Sequence, residues 1–86
     1  MSTVLASREE GALLLVRLRI ESRQLEDLLE TLADLPFPVN PELCHAGLVS
    51  VVEFPAFETR LALVREAVAP FDLPVETRPM LEAIRN

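Results

Sequence analysis

The chain has no lysine, no tryptophan and no tyrosine, a single cysteine, a single histidine and only two glycines in 86 residues. Each scarcity excludes something. Without lysine, eight arginines stand against 14 acidic residues, and the net charge is −6. An acidic domain lacks the electrostatic drive toward a phosphate backbone or an anionic membrane surface, so neither nucleic acid nor membrane is an expected partner. With no Trp or Tyr, a base-stacking platform would rest on phenylalanine alone. One cysteine closes no internal disulfide, and a reducing cytoplasm is the expected compartment. Gly11 and Gly47 are too few to build GxGxxG or GxxxxGK[ST], so phosphate-cradling loops are excluded. The longest apolar run, Ala12 to Val16, is five residues, against the roughly 20 of a membrane-spanning helix. The opening MSTVLASREEG has no basic segment followed by a long apolar stretch, and no secretory leader is expected from it.

What the chain does contain is a pattern that occurs twice. LLLVRLRIESRQLEDLLETLADLPFPV (13–39) and LVSVVEFPAFETRLALVREAVAPFDLPV (48–75) each run from an alternating apolar strand into a helical stretch, break at proline and restart at Pro-Val. Two copies are too few for a solenoid. Two βα units with their returning strands predict one βαββαβ domain over residues 11–86, after a flexible lead-in at 1–10. Leu13 to Glu21 alternates as a strand. Ser22 is the expected N-cap of a helix carrying Leu25, Leu28, Leu29, Leu32 and Leu35 and stopped by Pro36. Phe37 to His45, interrupted by Pro38 and Pro41, reads as an edge strand. Ala46-Gly47 reads as a turn, and Leu48 to Phe54 as a second strong strand. Pro55 then opens a loop or helix whose stripe is Phe57, Leu61, Val64 and Val68. Val75 to Arg78, cut by Pro79, is the last edge strand. Proline in strands two and four, and none in the other two, fits the order 4-1-3-2. The fold class is therefore α+β: a ferredoxin-like sandwich of a four-stranded antiparallel sheet with two helices on one face.

Helices on one face leave the other open. Leu14, Val16, Leu18, Ile20, Leu48, Ser50, Val52 and Phe54 are expected under the helices. Leu13, Leu15, Arg17, Arg19, Val49, Val51 and Glu53 are expected on the open side. Leu13, Leu15, Val49 and Val51 there predict a self-association face, most simply that of a two-fold homodimer. Cys44-His45 is the only pair with metal-ligand chemistry. Adjacent strand residues point to opposite faces, and no second Cys or His completes a zinc set, so no metal and no cofactor is expected. Glu26, Glu30 and Asp34 recur at helical spacing as a solvated acidic stripe.

In element order, length and expected pairing, residues 12–79 resemble the ACT-like class of small ligand-sensing domains. In that class the turn from the first strand into the first helix contains an acidic residue and a glycine, and small ligands bind there at a subunit interface. The matching stretch is Glu21-Ser22-Arg23-Gln24-Leu25, with Gln24 in the glycine's place. The resemblance implies a non-enzymatic, self-associating regulatory module that takes a small molecule at Ser22, Arg23 and Gln24. A protein-interaction domain without a ligand, or a small cofactor-free enzyme using His45 in a dimer cleft, are the alternatives.

Overall fold

Alternation of apolar and polar residues gives the first strand, β1, its nine residues, Leu13–Glu21. In this computed structural model, which describes residues 11–80, β1 leads into helix α1 (Leu25–Ala33). Then follow β2 (Glu42–Ala46), β3 (Val49–Phe57), helix α2 (Leu61–Val68) and β4 (Val75–Pro79). The sheet order is β2-β3-β1-β4 and every pairing is antiparallel. This is the predicted ferredoxin-like order read from the other edge. The predicted lead-in at 1–10 and the tail after Met80 lie outside the described residues.

The core forms because one face of each central strand is apolar and meets the apolar stripe of each helix. Val16, Leu18 and Ile20 of β1 and Val52, Phe54 and Ala56 of β3 are buried against Leu25, Leu28 and Leu32 of α1 and Val64 and Val68 of α2. Leu14 is only half buried. It stands at the β1 end, opposite Pro79.

Five local expectations are corrected. Ser22 does not cap α1. It begins a 3-10 turn, Ser22–Gln24, and its hydroxyl bonds across to the β2–β3 hairpin instead. Leu48 is not under the helices; it is 88% exposed, in the hairpin turn. Pro55 does not end β3. It pairs with Leu15 two residues past the last β2 pair, Glu42↔Glu53, where β3 has one neighbouring strand and a missing donor is tolerated. Phe57 consequently closes β3 rather than starting the helical stripe. The second strand is also shorter than expected. Pro38 and Pro41 both fall outside β2, which keeps only Glu42–Ala46.

The repeat has a counterpart in three dimensions that ties its halves together. Each helix starts with a 3-10 turn whose first N–H crosses to the other half. Ser22 N–H donates to the Leu48 carbonyl at 2.8 Å, just before β3; Glu58 N–H donates to the Ala12 carbonyl at 2.9 Å, just before β1. The two glycines occupy matching places, two residues ahead of β1 and β3, and both have positive φ, 80° and 69°. At Gly11 a Cβ would also lie 2.7 Å from Glu58 Oε1, which accepts from the Ala12 N–H at 3.2 Å. Glycine is required there twice over.

Candidate functional site

Two places combine polar chemistry with access to solvent. The first is the junction of β1, α1 and the β2–β3 hairpin. The two-residue turn Gly47-Leu48 sets His45 opposite Ser50, and the β1–β3 ladder sets Ser50 opposite Ile20, beside the exit of β1 at Ser22. Ser22 Oγ lies 3.0 Å from the Gly47 carbonyl and 2.7 Å from Ser50 Oγ; His45 Nδ1 lies 2.9 Å from Ser50 Oγ. Among the described residues Ser50 is the only polar side chain in the core, fully buried at 0% exposure.

Donor counting gives this chain one direction. A carbonyl only accepts, so the single Ser22 hydroxyl proton goes to Gly47. Ser50 must then donate to Ser22, since two oxygens 2.7 Å apart without a proton between them repel. Ser50 has no second proton, so His45 Nδ1 is the donor to Ser50. The geometry therefore fixes the Nδ1–H form of the imidazole and leaves Nε2 as the remaining ring nitrogen. Both ends of the chain are exposed or half exposed while its middle is sealed, an arrangement suited to holding the hairpin rather than to attack by Ser50 on a substrate.

The predicted ligand residues fall beside this junction. Glu21, Ser22 and Arg23, with Leu48, line a shallow depression of about 320 Å³; Gln24 does not line it. Arg23 Nε donates to Glu21 Oε1 at 3.2 Å, with both side chains largely in solvent. The Ser22 hydroxyl is committed to the hairpin, so Arg23 is the group there with donors to offer.

The second place is the open face of the sheet. The register arranges it in rows across the strands. Leu13 stands beside Phe57, and the next row is Pro55, Leu15 and Arg78. The middle row is Glu42, Glu53, Arg17 and Glu76. Then come Cys44, Val51 and Arg19, and finally Ala46, Val49 and Glu21. The four residues expected to form one apolar face are thus parted by a charged row, with Leu13 and Leu15 on one side and Val49 and Val51 on the other. Arg17 Nε donates to Glu53 Oε2 at 2.8 Å, with the side chains 44% and 26% exposed. A shallow groove of about 120 Å³ follows this row between β1 and β4, with Leu15, Glu76 and Arg78 on its walls. At the Leu13 end the surface continues into a larger groove of about 380 Å³ that Phe37 and Arg60 also line. There the Arg60 guanidinium sits 5.1 Å from the centre of the Phe37 ring.

Cys44 and His45 do not meet. Cys44 pairs with Val51 on the open face and His45 with Ser50 on the helix side, as strand alternation requires. Among the described residues no three His, Cys, Asp or Glu side chains converge as a metal set, and no helix is long and apolar enough to cross a membrane. No family model, no curated protein and no solved structure matches this chain.

Proposed function

We propose that this chain is a non-enzymatic, self-associating regulatory module of ACT-like type, whose working surface is the open face of its sheet. One observation carries the reading. Apart from Leu14 at the strand end, the helix side of the central strands is buried, while the other side leaves Leu13 and Val49 more than two-fifths exposed and Leu15 and Val51 partly so, around an ion pair. Apolar surface on a regular, rigid sheet favours a second sheet, and a second copy is the simplest partner. The sealed position of Ser50 supports the non-enzymatic part, because the Ser50–His45 pair offers no accessible hydroxyl.

Light scattering on a sizing column tests the association. At micromolar concentration the expected mass is twice 9.6 kDa, and Leu15→Glu should return it to the monomer value with an unchanged circular dichroism spectrum. A wild-type monomer overturns the reading. The sensing part rests on the Glu21–Ser22–Arg23–Leu48 depression, where the Arg23 guanidinium suits a small carboxylate. A thermal-shift screen of amino acids should find one that raises Tm, and Arg23→Ala should abolish the rise. If Arg23→Ala leaves the rise intact, the ligand binds elsewhere.

A further inference from the structure

The rows of the open face say how a second copy would sit, an inference that rests on the face reading above. Two sheets packed face to face keep their strands within about 30° of alignment. A two-fold axis lying between the sheets then has two choices: across the strands or along them. An axis across the strands, through the middle row, lays each β1 on the partner's β1 and each β3 on the partner's β3. Arg17 then meets the partner's Arg17, and Glu53 meets the partner's Glu53. Both contacts are like-charge and unfavourable when desolvated.

An axis along the strands, between β1 and β3, lays β1 on the partner's β3 and keeps every row at its own level. Leu13 then faces the partner's Phe57, and Leu15 faces the partner's Pro55. Arg17 faces the partner's Glu53, and the symmetry repeats each contact in reverse. The atoms needed are in place. Arg17 uses Nε on its own Glu53, while among the described residues its terminal nitrogens and Glu53 Oε1 take no partner. Guanidinium has five donors in a planar fork and serves two carboxylates readily. Arg19 and Glu21 fall over the partner's Val51 and Val49, where their aliphatic stems can lie flat. Glu76 falls toward the partner's Glu42, but both belong to outer strands, which sheet twist carries apart.

We propose that this chain forms a face-to-face homodimer about an axis parallel to its strands, closed at the centre by two reciprocal Arg17–Glu53 contacts between copies. The test uses Arg17→Glu and Glu53→Arg, each purified alone and then mixed in equal amounts. Alone, each should associate at least about 30-fold more weakly than wild type, since each places like charges at both central contacts. Mixed, they should recover the wild-type dimer mass, because acid in one copy now faces arginine in the other at both contacts. Recovery on mixing also shows that the single variants are folded. Single variants that remain as dimeric as wild type overturn the proposal, because the crosswise axis would merely exchange one like-charge pair for another. So does a mixture that stays monomeric while wild type dimerises, which leaves the open-face reading standing and removes the register. A monomeric wild type removes both.

Discussion

Replacing Phe54 by alanine should cost about 3–5 kcal/mol of folding stability, the usual range for emptying a buried phenylalanine site. Phe54 is the largest of the fully buried side chains, 1% exposed. It stands opposite Val16 on the helix side of the two central strands. Truncation leaves a void within the one core cluster that both central strands and both helices build, where rigid elements collapse only in part. For a chain of this length total stability is about 4–13 kcal/mol, so the variant should be partly unfolded at room temperature or unfold at a small fraction of the wild-type urea midpoint. Phe54→Leu, which keeps most of the volume, should cost less than about 1.5 kcal/mol. Phe57→Ala should cost little as well, since Phe57 lies half exposed at the strand end. If urea unfolding gives Phe54→Ala and Phe57→Ala similar losses, the assignment of the core to the even-numbered face of β3 is wrong.

That face was legible in the sequence for a plain physical reason. Alternation with one wholly apolar face survives any error in strand ends, so Val16, Leu18, Ile20, Val52 and Phe54 fall on the buried side however the ends are drawn. Proline placement was a partial guide: Pro79 does stand in the edge strand β4, where a missing N–H costs little, but Pro38 and Pro41 lie ahead of β2, and the central β3 carries Pro55 where it has one neighbour. Helix starts and hairpin registers were less legible. Ser22 has the chemistry of an N-cap, and nothing local reveals that a carbonyl from the hairpin turn, 25 residues on, captures its hydroxyl. A turn at Ala46-Gly47 would put His45 opposite Leu48. The turn at Gly47-Leu48 puts it opposite Ser50 and creates the hydrogen-bonded chain. The faces are identical in both cases, so the apolar pattern does not distinguish them. The signal that does is the repeat itself: Gly11-Ala12-Leu13 and Gly47-Leu48-Val49 are equivalent, and both strands start two residues after glycine.

The same logic explains the parting of the apolar patch. Alternation shows which residues share a face but not which share a row. Leu13 and Leu15 lie at one end of the sheet and Val49 and Val51 at the other because β1 and β3 are antiparallel. In an antiparallel pair the starts of the two strands lie at opposite ends. The charged row between them follows from Arg17 and Glu53 each standing near the middle of its nine-residue strand.

Ser50→Ala carries the second large effect and the one that reports on the junction. The substitution leaves the Ser22 hydroxyl without its donor and His45 Nδ1 without its acceptor, at the base of a hairpin whose five β2 residues are all exposed. A lost buried hydrogen-bond group costs about 1–3 kcal/mol, toward the lower part here because water can reach both orphaned partners. Ser22→Ala removes the other end of the same chain. The double variant should therefore cost less than the sum of the two singles, because the second substitution removes a bond already broken. Nitrogen-15 correlation spectra of the imidazole supply a readout that simple loss of packing would not move. Neutral wild-type His45 should carry its proton on Nδ1. In Ser50→Ala the Nε2–H form should gain population, because nothing then holds the proton at Nδ1. A wild-type imidazole protonated mainly at Nε2 would reverse the hydrogen-bonded chain. Gly47 would then have to lose the Ser22 proton, or Ser22 and Ser50 would face each other oxygen to oxygen at 2.7 Å. Either outcome would cost the junction one of its three side-chain bonds and leave the backbone bond from Ser22 to Leu48 to carry more of the hold on the hairpin.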